Sequence, residues 1–387
     1  MSFACGFKQR YGKQFCVTDC PASAPCGIFE YVRVERPEAV PPAEPRAIDV
    51  AILDMNNGWP NLGHDSLVHA VMDAGCEVLE PLTAAGLRIR ALSYDVRRQG
   101  ILPEPPGGRF VLYLGTGGPG HIDPHRNDGV APGTQGIRED PAWEEGAFRL
   151  FDAIRADEEA ALLGVCHSFG VLCRWSGAAR PVLRGEAKGK CTGVLENVLS
   201  REARDHPWFR HFAESLGASG RMRVVENRLF DLVPDSDGFP PWVLPVGYET
   251  LGVGGATGGV VTMLEFARDA GGVMPRIFAS NHHPEIVDRS RQIMILNQKR
   301  ERGEVGEEWY RERLEALTCH DTREDADLHL TSDYTLLGPL RFHLFRQVRR
   351  RAESLGRWTG IHEDEVLRAV GREPVGSMGV GRAAETF

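Results

Sequence analysis

The stretch Ala161-Leu162-Leu163-Gly164-Val165-Cys166-His167-Ser168-Phe169-Gly170 decides the reading of this chain. A short apolar run ends at a nucleophilic residue type and passes into a helix-forming segment, FGVLCRWSG (169–177). That is the context of a nucleophile elbow, a sharp strand-to-helix turn that pushes one side chain out at the carboxyl edge of a sheet. A thiol placed there gains from the helix N-terminus, whose orphan N–H groups and dipole favour the thiolate. The backbone N–H of His167 is positioned to face a developing oxyanion. A buried cysteine at such a junction is also a common structural residue, so the segment needs partners elsewhere before it means chemistry.

The texture on both sides supports the strand–helix reading. IDVAILDM (48–55) and FVLYLG (110–115) are further apolar runs of buried-strand type. The spacing of Leu67, Val68 and Val71 predicts a helix over 64–75, closed by Gly75 as a C-cap, and a second helix is read over 141–160. CEVLEPL and LRIRALSY read as extended pieces. Alternation of this kind predicts an α/β fold, a flavodoxin-like mainly parallel sheet with helices on both faces. From 190 to 280 the chain is more strand-rich, and SNHHPEIVDRSRQIMILNQKR (280–300) begins at a strand end and continues as a helix. Beyond 300 it is highly charged, with helices in EEWYRERLEAL and LRFHLFRQVRRRAESLG that form a C-terminal helical extension.

Two further segments give Cys166 its partners. Ser280-Asn281-His282-His283-Pro284-Glu285 offers a base and an orienting carboxylate, with His283 and Glu285 two apart across a proline. A one-residue slip would exchange His282 for His283. Gly115-Thr116-Gly117-Gly118-Pro119-Gly120 ends the FVLYL strand with a backbone able to present another amide to an oxyanion. It also spells G-x-G-x-x-G, but the polar segment HIDPHRNDGVAPGTQG follows instead of a helix, which argues against a dinucleotide loop.

Composition narrows the class. The 387 residues are 42% hydrophobic and 26% charged, with 54 acidic against 45 basic side chains and a net charge of −9. This excludes collagen-like, coiled-coil and wholly disordered chains and argues against a general nucleic-acid binder. No window approaches a membrane-spanning length of apolar residues, and no secretory signal opens the chain, so a cytoplasmic protein without membrane partners is expected. Four of the nine cysteines, Cys5, Cys16, Cys20 and Cys26, crowd into a leader followed by the proline-rich ERPEAVPPAEPRA (35–47). Their spacing is not that of paired zinc ligands, although four thiols suffice for a zinc or iron–sulfur site. His121, Asp123, His125 and Asp128 share one polar loop whose alternation reads as solvated surface, so no metal is expected there. GVGGATGG (252–259) reads as a mobile hairpin or lid, and Arg346, Arg349, Arg350 and Arg351 as a solvated helical face. The division expected is 1–47 leader and linker, 48–298 catalytic unit, and 299–387 a mostly helical extension with a loose tail.

Together the motifs Gly117-Gly118-Pro119-Gly120, Gly164-Val165-Cys166-His167-Ser168 and His283-Pro284-Glu285 resemble the class I, or triad, glutamine amidotransferase family over about 48–298. With Tyr94-Asp95-Val96-Arg97 the chain is similar to standalone members related to the glutaminase domain of GMP synthase. The resemblance implies Cys166 as nucleophile forming a glutamyl thioester, His283 as general base and acid, and Glu285 as its orienter. It implies an oxyanion and substrate site at Gly117, Gly118, His167 and Ser168, the amides of Gly118 and His167 forming the hole, and it implies that the loop of His121, Asp123, His125 and Asp128 lines the rim of the site. It implies glutamine or a related amide as substrate, no cofactor, and an ammonia-accepting synthetase as a separate partner. The pattern departs from the family at Ser168, usually Gly, and at Gly170, usually a Gln that helps hold substrate. Those departures keep two alternatives open: a same-fold hydrolase or acyl or glutamyl transferase with another γ-glutamyl or amide substrate, and a catalytically idle member that binds partners through 305–355.

Overall fold

The computed structural model describes residues 27–185, 188–251, 256–318 and 322–357. Twelve strands occur among them: β1 Phe29–Val34, β2 Ala47–Asp54, β3 Arg88–Asp95, β4 Phe110–Gly115, β5 Ala161–Val165, β6 Arg180–Leu183, β7 Cys191–Leu199, β8 Arg221–Arg228, β9 Phe230–Val233, β10 Leu244–Leu251, β11 Ala256–Arg268 and β12 Pro275–Ser280. Ten form one sheet in the order β1-β3-β2-β4-β5-β12-β11-β10-β7-β8. Every pair from β1 to β12 is parallel, and every pair from β12 to β8 is antiparallel. The small pair β6–β9 stands apart from it. The fold is therefore α/β with a flavodoxin-like parallel half, extended by an antiparallel half.

The helices are α1 Leu62–Glu77, α2 Leu79–Ala85, α3 Val96–Gln99, α4 Ala142–Ala156, α5 His167–Ser176, α6 Arg201–Asp205, α7 Phe209–Leu216, α8 Arg289–Glu301, α9 Glu307–Thr318, α10 Thr322–Ser332 and α11 Gly338–Ser354. Because successive strand residues point to opposite faces, β2 sends Val50 and Ile52 into one core and Ala51 and Leu53 into the other. The first core is closed by α1, α7 and α11 through residues such as Leu67, Phe209 and Leu340. The second is closed by α4 and α5 through Phe151, Ile154 and Phe169. Parallel strands buried on both faces are mostly apolar, which is why 110–115 reads as a continuous run and 48–55 as one interrupted only by Asp49 and Asp54, the former paired with Arg90 and Arg109. No described helix is long and apolar enough to cross a membrane.

The structure corrects several local expectations. Helix α2 stands where an extended piece is expected: it is built of the helix formers in LEPLTAA, tolerates Pro81 in its first turn, and stops at Gly86 with φ +63°. Gly75 does not cap α1, which runs on to Glu77. A Cβ there would sit 2.5 Å from Phe29 Cε1 and 2.7 Å from Ile89 Cδ1, so glycine lets the helix lie against β1 and β3. Strand β1, which falls within the expected leader, is an edge strand parallel to β3, with Phe29, Tyr31, Val32 and Val34 buried. The arginines of α11 are not simply solvated: Arg346 and Arg350 both meet Glu159, and Arg351 donates to the Pro45 carbonyl. Cys5, Cys16, Cys20, Cys26, residues 252–255 and the 370–387 tail lie outside the described residues.

Candidate active site

Cys166 sits where β5 gives way to α5, with φ +50° and ψ −99°. A non-glycine residue held there is strained, and only a surrounding structure that fixes it keeps it so. Two hydrogen bonds supply that constraint: the Cys166 amide donates to the Ser280 carbonyl at 2.7 Å, and the Gly170 amide to the Cys166 carbonyl at 3.1 Å. Ser168 completes the turn, its Oγ donating to the Thr116 carbonyl at 2.8 Å. A Cβ on Gly115 would fall 2.4 Å from that Oγ, so Ser168 is accommodated because its neighbour across the sheet is glycine.

The glycine-rich loop is clamped from behind. The Met55 amide donates to Thr116 Oγ1 at 2.8 Å. Arg97, fully buried, donates to the Met55 carbonyl at 2.8 Å and the Pro119 carbonyl at 2.6 Å. Its remaining nitrogens bind the Glu139 carboxylate at 2.8 and 2.9 Å. Gly118 is pressed so close that a Cβ would lie 2.0 Å from the Met55 oxygen. Gly117 lies between the two reactive groups, a Cβ there being 3.1 Å from His283 Cε1 and 3.4 Å from Cys166 Cβ. Arg97 belongs to the 94–97 segment, but nothing in the sequence shows that its charge holds this loop.

Strand β12 delivers the histidine. Ala279 pairs with Gly164 and Ser280 with Val165, so the residues just past β12 stand beside those just past β5. His283 Nδ1 and Glu285 Oε1 are 2.8 Å apart. Burial alone would lower the His283 pKa, but the Glu285 carboxylate and the Cys166 thiol raise it well above the ordinary histidine value. With Nδ1 committed to Glu285, the other edge of the ring is left for Cys166. His283 Nε2 makes no hydrogen bond among the described residues. His282 is different: burial, with the charges of His283 and Arg228, pushes its pKa down to about 3. The pKa of the His167 ring is also lowered, well below the ordinary histidine value, by burial first and Arg97 second.

Two supports of the pair have no signature in the motifs. Gly63, near the start of α1, leaves room for Glu285, since a Cβ there would be 2.4 Å from Oε1. Ser332, at the end of α10, donates to the Pro284 carbonyl at 2.6 Å and so ties the His-Pro-Glu turn to the C-terminal helices. The polar loop closes on itself. His121 Nδ1 accepts from the Asp123 amide at 2.9 Å, and Asp128 accepts from the amides of Val130 and Ala131. Among the described residues no three His, Cys, Asp or Glu side chains are grouped to hold a metal ion. Cys173 and Cys191 are buried thiols whose pKa values burial raises.

Cys166 lines a cavity of about 360 Å³, together with Ile122, Lys190, Trp309 and Arg313. Fold and site define a class of arrangement: cysteine, histidine and glutamate gathered at the carboxyl edge of a flavodoxin-like sheet. No family model and no curated protein matches the sequence. Solved structures similar in fold include a GMP synthase subunit from Thermoplasma acidophilum, at 14% identity and TM-score 0.36, covering 64% of this chain and 90% of that one. PurLQS from Thermotoga maritima is similar at 14% identity and TM-score 0.35, covering 61% and 87%. The glutaminase domain of Trypanosoma brucei CTPS, with bound acivicin, is similar at 10% identity and TM-score 0.37, covering 62% and 86%.

Proposed function

We propose that this chain is a cysteine-dependent amidohydrolase of the class I glutamine amidotransferase type. The observation that carries the reading is the strained Cys166 at the end of β5, facing a histidine held at 2.8 Å by Glu285 beyond the adjacent strand. In the proposed reaction Cys166 Sγ attacks the side-chain amide carbon of glutamine after its proton passes to His283. The carbonyl oxygen takes the negative charge and is met by the amides of Gly118 and His167. The C–N bond then breaks, and the leaving nitrogen takes the proton from His283 and departs as ammonia. Water, deprotonated by the same histidine, hydrolyses the thioester to glutamate and restores the thiol. The ammonia serves a separate acceptor enzyme.

A second reading, an amide or γ-glutamyl substrate other than glutamine, is favoured by Gly170. A Cβ there would lie 2.7 Å from Ile122 Cγ2, so no side chain at this position reaches substrate. Incubation with a diazo-ketone analogue of glutamine tests the proposal. A mass increase on the Cys166 peptide, absent from Cys166→Ala, is expected. An unlabelled Cys166 that still reacts with small thiol reagents would transfer the assignment to the second reading.

A further inference from the structure

The cavity that includes Cys166 is lined by both apolar and charged side chains. Ile122 fills the space beside Gly170 and is part of that lining. Lys190, exposed just before β7, and Arg313 of α9, whose guanidinium lies 5.5 Å from the centre of the Trp309 ring, also line it. Neither cation is paired with a carboxylate among the described residues. The other arginines of the lining are engaged: Arg228 binds Glu226 at 2.6 Å and Glu249 at 3.1 Å, and Arg289 also has a partner. The neighbouring groove along β7 and β8 is balanced in the same way, Glu196 meeting Arg221 at 2.7 Å.

Lys190 and Arg313 are near enough to act on each other. Desolvation by the cavity walls and the charge of Arg313 lower the Lys190 pKa, while Cys166 opposes them. Two like charges that no carboxylate pairs, opposed only by the Cys166 sulfur, are a cost that an arriving anion relieves. A cavity of about 360 Å³ is also within the range, about 300–1,000 Å³, of sites for ligands larger than a few atoms. We infer that the substrate is an acidic amide, its carbonyl carbon meeting Cys166 while a separate oxyanion, carboxylate or phosphate, lies between Lys190 and Arg313. This rests on Cys166 being the nucleophile, and it makes the residues preceding β7 and the C-terminal α9 the source of substrate selection.

The test compares alkylation of Cys166 in the full chain by iodoacetate, an anion, and iodoacetamide, its neutral counterpart. Both react through the thiolate, so the ratio of their rates cancels the thiolate fraction and reports the local charge. In the wild type the iodoacetate-to-iodoacetamide ratio should exceed that of N-acetylcysteine by about tenfold or more, a magnitude reasonable for one unscreened charge at close range. Lys190→Gln and Arg313→Gln should each lower it severalfold, and the charge-keeping Lys190→Arg and Arg313→Lys should hold it. Continued reaction with iodoacetamide shows that each variant retains the site. Glutarate and inorganic phosphate, tested separately as protectants, tell carboxylate from phosphate, and loss of protection in the double glutamine variant supports the site. A wild-type ratio equal to that of N-acetylcysteine, or protection by neither anion, overturns the inference. A Cys166 inert to both reagents overturns the nucleophile itself, which is a different failure.

Discussion

Strands β2 and β5 are buried from end to end, whereas β8 alternates buried and half-buried positions and carries Arg221, Arg223, Glu226 and Arg228. The two halves of one sheet thus do different work. The parallel half, covered on both faces, positions Cys166 and the glycine-rich loop at its carboxyl edge. The antiparallel half and the C-terminal helices build the charged wall of the cavity. His283 and Glu285 stand at the seam, just past β12, the last parallel strand. On the proposed reading the tasks are separated: chemistry at the edge of the parallel half, selection by the antiparallel half and the C-terminal helices.

Several substitutions press on that separation. After loss of His283 itself, Glu285→Gln should cost most, about 10²–10⁴-fold in turnover by analogy with an orienting carboxylate behind a catalytic histidine. It should also change stability with pH in a definite sense. Because the folded His283 pKa is raised, its ion pair contributes stability that is fully present below the ordinary histidine value and is lost as pH rises through the folded value. The stability deficit of Glu285→Gln, read by denaturant titration, is therefore largest in acid and shrinks in alkali; a deficit that grows with pH would contradict this.

Gly118→Ala comes next. Its Cβ meets a backbone oxygen, not a flexible side chain end, so the loop must move. A loss of about 1–3 kcal/mol, typical of overpacking, is expected together with a fall in Cys166 labelling. Gly170→Ala should cost about 1–3 kcal/mol as well, and Ile122→Ala in the same chain should recover part of it, since the clash is with a side chain. Simple additivity of the two would refute the contact. His282→Asn should have the smallest effect on chemistry. That ring is neutral and holds no carboxylate, so Cys166 labelling should stay within about tenfold of wild type, while His283→Asn abolishes it.

The parallel half is legible in the sequence because strands buried on both faces are mostly apolar, and because an elbow cysteine needs a particular order of strand, small residue and helix. The pairing of His283 with Glu285 is legible from spacing, with His282 as the competing choice. Strand β1 is harder: FEYVRV is short, and its apolar character is masked by its place after a cysteine-rich segment. Helix α2 is hidden because Pro81 reads as a breaker unless its place in the first turn is known. Gly63, Ser332, Lys190 and Arg313 carry no motif at all, and the 94–97 motif does not show what Arg97 holds. Their roles exist only once segments up to 269 residues apart, such as Gly63 and Ser332, are brought to one place.

A glutamyl or related acyl thioester on Cys166 can be intercepted directly by hydroxylamine. Added during incubation with glutamine, it competes with water for the thioester and yields γ-glutamyl hydroxamate. Wild-type protein should form hydroxamate at the expense of glutamate, and Cys166→Ala none. Ammonia release from glutamine with no hydroxamate, or hydroxamate formed equally by Cys166→Ala, would contradict the account.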